Sequence, residues 1–156
     1  MQKGFATLEI IFAVLIIGIL LSAAVPNAAR VVDRAALDYE TKRLYGDLRF
    51  LQSASRSGEM DLLGTGRTDL KPEKLPYMQI NAARRSWQIL RDDKPVREEH
   101  FMRNGIKISS AKDKIRFDTS GSPNISTSIT LTPRFGKANA IVFDSVGRFR
   151  GGRSDD

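Results

Sequence analysis

The apolar stretch at residues 5–25 constrains this chain more than any other feature. It reads FATLEIIFAVLIIGILLSAAV, and Glu9 is its single charged residue. A helix of this length rises about 31 Å, which matches the roughly 30 Å hydrocarbon core of a bilayer. A carboxylate inside such a span costs about 2.5–3.5 kcal/mol at mid-bilayer, and by default it indicates a function. Residues 5–25 are therefore predicted to lie in a membrane, and Glu9 is predicted to have a specific role.

Two general explanations of the N-terminus leave Glu9 without a purpose. A secretory signal peptide has a basic start, an apolar centre of about 7–15 residues and a small-residue cleavage site. Residues 1–3, 10–21 and 22–24 can be fitted to that pattern, but Glu9 then places a charge at the head of the apolar region. A plain membrane anchor fits the length, with Lys3 on the cytoplasmic side by the positive-inside rule.

A third explanation accounts for every unusual residue near the N-terminus. Lys3-Gly4, then Phe5, then Glu9 as the fifth residue after the glycine, resembles a class III leader of the type IV prepilin kind. The resemblance implies that residues 1–4 are a leader, that prepilin peptidase cuts between Gly4 and Phe5, and that the new Phe5 amine is methylated. It also implies that Glu9 pairs with the N-terminal amine of a neighbouring subunit, because a buried carboxylate needs a partner cation.

A second helical pattern follows Pro26. Residues 26–57 contain no further proline and one interior glycine, and apolar or small residues recur at spacings of three and four. This spacing is typical of an amphipathic helix with one packing stripe. The predicted stripe comprises Val32, Ala36, Leu37 or Tyr39, Leu44, Leu48, Leu51 and Ser55. The sequence thus predicts one helix of about 50 residues, apolar all round at 5–25 and amphipathic at 26–57.

Short alternating strands are predicted in the rest of the chain, residues 58–156. Turn residues indicate a loop at 57–74, and alternation of apolar and polar residues then predicts strands at 77–82, 86–91, 106–110, 114–118, 125–131 and 140–143. A long amphipathic helix followed by antiparallel strands is an α+β protein. The helix stripe is predicted to pack on the apolar face of the sheet.

The order of these strand motifs is similar to that of the GspH/FimT type of minor pilin or pseudopilin. The motifs are Gly105-Ile106-Lys107-Ile108, Ile115-Arg116-Phe117, Gly121, Ile129-Thr130-Leu131, Ile141-Val142-Phe143 and Gly147-Arg148. The resemblance implies a spine helix wrapped by antiparallel sheet. It also implies a single-pass protein of the cytoplasmic membrane with its C-terminal domain outside, assembling with other pilin or pseudopilin subunits into a surface pilus or a periplasmic pseudopilus.

The sequence carries no recognisable catalytic or metal-binding constellation. It has no cysteine and one histidine, His100, which excludes zinc–thiolate sites and sites that need two histidines. His100 follows Glu98-Glu99 and is predicted to lie in a solvated loop. The expectation is therefore a protein that is not an enzyme, with no metal or cofactor assigned.

The C-terminus concentrates positive charge. The seven residues 147–153 hold Arg148, Arg150 and Arg153 together with Phe149 and three glycines, in a chain of net charge +7. Arginine pairs with phosphate through two parallel hydrogen bonds, and Phe149 suits stacking on an unpaired base. The segment resembles the Gly-Arg-x-Arg tail of DNA-binding FimT-type pilins of natural transformation, which implies a flexible tail at 147–156 that binds double-stranded DNA. The alternative is a frayed terminal strand with solubilising charge.

Two other functions stay open at this point. A pseudopilin of type II secretion would share the architecture and handle protein without binding DNA. A secreted binding protein or enzyme with an ordinary signal peptide would begin near Val25 instead of Phe5. The mature N-terminus separates that last class from the other two.

Overall fold

A single helix forms the N-terminal third of the protein. The computed structural model describes residues 3–56 and 75–153, and for residues 3–8, 23, 152 and 153 it describes the backbone alone. Helix α1, Lys3–Arg56, is 54 residues long and continues through Pro26. This confirms the prediction of one long helix that joins the apolar and amphipathic segments. The predicted loop at 57–74 and the first two leader residues lie outside the described residues.

Nine antiparallel strands follow α1 within residues 75–153. They are β1 Tyr77–Asn81, β2 Ser86–Arg91, β3 Lys94–Pro95, β4 His100–Phe101, β5 Lys107–Ser110, β6 Lys114–Arg116, β7 Ser128–Thr132, β8 Asn139–Phe143 and β9 Phe149–Arg153. The first sheet has the order β3-β2-β1-β6, with β4 also paired to β2, and the second has the order β5-β7-β8-β9. The α+β prediction is confirmed, and the strands form two sheets.

Strands β5 and β6 are close in sequence but belong to different sheets. Ile108 of β5 lies opposite Leu131 of β7, whereas Ile115 of β6 lies opposite Met78 of β1. Alternation identified the buried face of each strand, and Ile108 and Ile115 are both buried. It could not identify the partners, because an apolar face is satisfied by any sheet that covers it.

The second half of α1 lies against both sheets and supplies much of the core. Its buried apolar side chains are Leu37, Leu44, Leu48 and Leu51. They pack in one cluster with residues of the first sheet such as Trp87 and of the second sheet such as Ile129. The predicted packing stripe is therefore confirmed from Leu44 to Ser55, and all four of its members there are buried.

The stripe differs from the prediction in its first turns. Val32 and Tyr39 are 57% and 47% exposed, whereas Asp33 and Glu40 are buried together with Leu37. Leu37 is thus confirmed as a member of the stripe, and two carboxylates are buried one residue after Val32 and Tyr39, which were predicted to be buried. The reason at Glu40 is a hydrogen-bond partner from the sheet, described below.

Polar contacts complete the attachment of α1 to the sheets. Asp47 accepts hydrogen bonds from Trp87 Nε1 at 2.9 Å and from Arg97. Gln52 Nε2 donates to the carbonyl oxygens of Gly121 and Gly147 at 2.8 and 2.7 Å. A long N-terminal apolar helix packed on antiparallel sheets is a pilin-like architecture.

Candidate functional surfaces

The first half of α1 presents an apolar surface that the folded domain does not cover. Large apolar side chains from Ile10 to Val25 are each between 54% and 65% exposed. Residues 10–29 include no charged residue. Within the described residues, α1 is the one helix that is long and apolar enough to cross a membrane, and its most apolar window has no residue buried inside the protein. An uncovered apolar surface of this size requires lipid or other protein chains.

Glu9 lies on this surface near the N-terminal end of α1. Its side chain is exposed, and the next charged residue toward the C-terminus is Arg30. Gly4 and Phe5 lie in the helical backbone, and their side-chain environment is outside the described residues. Since no cation occurs at residues 10–29, a cation that pairs with Glu9 has to come from outside this stretch.

The C-terminal arginines lie along an ordered strand and the turn before it. The sequence predicted a flexible tail from residue 147, but residues 149–153 form β9, which pairs with β8 from Phe143↔Phe149 to Asn139↔Arg153. Arg148 and Arg150 have exposed side chains. Arg153 lies at the end of β9 by its backbone, and its side chain is outside the described residues. β9 occupies one end of the second sheet.

Arg148 belongs to a tight turn between β8 and β9. Its backbone N–H donates to Asp144 Oδ1 at 2.8 Å, and its Nε lies 3.5 Å from Asp144 Oδ2. The Arg148 side chain stays 70% exposed in this pair. An exposed ion pair of this kind holds the guanidinium only weakly, so Arg148 can exchange Asp144 for another anion.

Phe149 is partly buried and packs against the core. Its ring lies at edge-to-face angles to Tyr45, Phe117 and Phe143, with centroid distances of 5.5, 5.7 and 5.4 Å. Stacking of Phe149 on a nucleic acid base would require its ring to leave these contacts. In this structure the ring anchors β9 to the helix and the sheet.

The other basic residues are divided between the sheets. Arg84 and Arg85 lie in the turn between β1 and β2 of the first sheet, where Arg84 pairs with Glu99. Arg134 and Lys137 lie in the loop between β7 and β8 of the second sheet. The backbone pairing of Asn139 with Arg153 brings the end of β9 to the end of this loop.

A buried acid–histidine pair was missed by the sequence analysis. His100 is 9% exposed, and its Nε2 lies 2.6 Å from Oε2 of the fully buried Glu40. The backbone N–H of Arg103 donates to Glu40 Oε1 at 3.3 Å, and the His100 ring packs on Trp87. The solvated-loop prediction for His100 is therefore wrong. A signal was present, because Glu40 falls at the packing-stripe spacing between Leu37 and Leu44.

Comparison with protein-family models, curated proteins and solved structures finds no match to this chain. The pilin-like architecture therefore rests on the fold itself, and the GspH/FimT resemblance rests on the sequence motifs.

Proposed function

We propose that this protein is a minor type IV pilin or pseudopilin of the GspH/FimT type. The observation that carries the proposal is the division of α1, whose amphipathic half packs in a two-sheet domain while its apolar half stays uncovered. The apolar half is held first in the cytoplasmic membrane, with the C-terminal domain outside. After prepilin peptidase has cut between Gly4 and Phe5, the same surface packs against other subunits in a pilus or pseudopilus.

Glu9 has a defined part in this proposal. A lone carboxylate is unfavourable among apolar side chains, and a positively charged amine at the right height on a neighbouring helix removes most of that penalty. Glu9 therefore favours one axial register between subunits over the others. Methylation of the Phe5 amine leaves its positive charge available for this pair.

Replacement of Glu9 tests assembly. Glu9→Gln keeps the length of the side chain but removes its charge, so we expect membrane insertion and leader cleavage to persist while incorporation into filaments falls strongly. The measurement is the amount of the protein in sheared filament fractions relative to the membrane fraction. Ala13→Ser, a small polar change one turn farther along α1, serves as the matched control and should incorporate normally. Normal incorporation of Glu9→Gln would contradict the proposed pairing.

We further propose that Arg148, Arg150 and Arg153 bind the phosphates of extracellular double-stranded DNA for uptake. Two exposed side chains support this proposal. Arg148 directly precedes β9 and Arg150 lies within it, and β9 is the strand at one end of the second sheet. Binding through phosphates is electrostatic, tolerant of sequence and sensitive to salt. It does not need Phe149.

The DNA proposal is tested with the full chain in detergent and a fluorescent duplex. Arg148→Gln with Arg150→Gln should weaken binding and reduce the slope of log affinity against log salt by about 2. Lys107→Gln with Lys112→Gln removes the same charge elsewhere on the domain and should change binding much less. Equal affinity in the two double variants, or binding that does not respond to salt, would contradict the proposal.

A type II secretion pseudopilin is the second candidate function. The observation that favours it over a DNA receptor is the ion pair between Arg148 and Asp144, which has to open before Arg148 can bind a phosphate. A secretion pseudopilin would use the same apolar half of α1 and would show no salt-sensitive DNA binding.

A further inference from the structure

A groove lies between α1 and the loop that joins β7 to β8. Its volume is about 510 Å³. Arg30, Arg34 and Asp38 line it from the helix, at spacings that place them on one face, and Phe135 and Lys137 line it from the loop. The buried side chain of Leu37 also borders the groove.

The chemistry of the groove suits an anion attached to an apolar body. Three cationic side chains, Arg30, Arg34 and Lys137, face one carboxylate, Asp38. Phe135 adds an aromatic ring that is 55% exposed. Arginine and lysine together bind phosphate well, and an exposed aromatic ring gains when it enters the boundary between headgroups and acyl chains.

The depth of the groove relative to the bilayer follows from its distance along α1 from the apolar half of the helix. Arg30 comes five residues after Val25, which is a rise of about 7.5 Å along the helix, and Arg34 comes about 6 Å later. The headgroup region adds about 5–7 Å to each side of the hydrocarbon core. When residues 5–25 span the core, the end of the groove nearest Val25 therefore lies at the level of the lipid headgroups.

We propose that this groove binds the phosphate of an anionic phospholipid headgroup while the chain resides in the membrane. Arg30, Arg34 and Lys137 surround the phosphate, and Phe135 contacts the apolar part of the same headgroup. The inference rests on the membrane stage of the proposed function. Its consequence is that the bound lipid fixes the rotation of the whole subunit about the axis of α1 in the membrane, and that the lipid is released when the subunit enters a filament.

An acidic side chain of a neighbouring subunit is the competing occupant. The lipid is favoured because the groove begins at headgroup depth beside Arg30 and combines cationic side chains with an exposed aromatic ring. A carboxylate partner would use the cations but would leave Phe135 exposed. The carboxylate of Asp38 repels any anion in the groove. Its removal should therefore strengthen lipid binding, whereas removal of a cation should weaken it.

The experiment uses the full chain in nanodiscs of equimolar phosphatidylcholine and phosphatidylglycerol. After gentle transfer to detergent, native mass spectrometry gives the ratio of phosphatidylglycerol to phosphatidylcholine that stays bound. Arg30→Gln should lower this ratio about fivefold, which corresponds to about 1 kcal/mol for one basic residue near an anionic surface. The triple variant with Arg34→Gln and Lys137→Gln should lower it further, and Asp38→Asn should raise it.

The matched control removes three charges away from the groove. Lys42→Gln, Lys107→Gln and Lys112→Gln together change the net charge equally, and Lys42 lies about 25 Å beyond Val25 along α1. This control should keep the lipid ratio of the parent chain. Equal ratios in the two triple variants would overturn the inference, and normal lipid retention with lost filament incorporation in the groove variant would assign the groove to a subunit contact.

Insertion into the discs separates this inference from the function on which it rests. A chain that inserts into discs of either lipid but shows no preference for phosphatidylglycerol contradicts the groove proposal alone. A chain that inserts into neither contradicts the membrane stage, and the groove proposal with it.

Discussion

At the scale of single residues, the main finding is how a carboxylate can occupy the packing stripe of α1. Glu40 is fully buried, and it accepts hydrogen bonds from His100 and from the Arg103 backbone. A buried carboxylate without such partners would be strongly unfavourable. The pair therefore fixes how the first sheet sits on the helix, because β4 has to bring His100 to this one turn of α1.

Removal of His100 should destabilise the domain more than the loss of packing alone. His100→Leu leaves Glu40 buried without its main partner, so we expect the free energy of unfolding to fall by about 3 kcal/mol or more. Denaturant unfolding of the full chain in detergent measures this change. The double variant Glu40→Leu with His100→Leu is the control and should be more stable than His100→Leu alone. A double variant that is less stable than the single one would contradict this account of the pair.

At the scale of elements, two turns of the β domain meet the C-terminal end of α1 at Gln52. The amide of Gln52 donates to Gly121 in the turn after β6 and to Gly147 in the turn before β9. The first turn is also held by Asp118, whose carboxylate accepts from Ser120, and this hydrogen bond keeps the pKa of Asp118 below its usual value. These contacts position β9, and with it the arginines of the candidate DNA surface.

Gly147 is the most constrained position of this junction. Its φ is +79°, and a Cβ there would lie 2.1 Å from the Gly121 carbonyl oxygen. Gly147→Ala should therefore lower the free energy of unfolding by about 3 kcal/mol, from backbone strain and from displacement of the neighbouring turn. The control is Gly151→Ala in β9, where a Cβ meets nothing within 4 Å; it should change stability by less than about 0.5 kcal/mol. Equal effects of the two substitutions in thermal unfolding would contradict the importance of the junction.

At the scale of the whole molecule, the sequence predicted where the helix and strands lie better than it predicted which strands and side chains contact one another. The continuous α1 and strands such as β1 and β2 followed from residue spacing, because periodicity records which face of an element is buried. The division into two sheets and the pairing of Glu40 with His100 could not be predicted. Both depend on residues far apart in the chain, as His100 and Glu40 are separated by 60 positions.

For the candidate surfaces too, features set by neighbouring residues could be predicted, and features set by distant residues could not. The uncovered apolar half of α1 was evident from composition, since residues 10–29 are mostly apolar and carry no charged side chain. The ordering of β9 was missed because glycines and arginines are typical of a flexible tail, and only the packing of Phe149 against Tyr45 and Phe143 shows why this strand is held. The groove beside Arg30 arises from contact between α1 and a loop about 100 residues away, so the sequence offered no sign of it.

The mass of the mature N-terminus distinguishes a processed pilin from an ordinary secreted protein. The full chain is produced in cells with and without prepilin peptidase, recovered from the membrane fraction and measured by intact-mass and N-terminal peptide analysis. We predict that the protein begins at Phe5 and carries one added methyl group on its amine when the peptidase is present, and that it keeps residues 1–4 when the peptidase is absent. A mature chain that begins at Val25 would contradict the pilin account and identify an ordinary secreted protein.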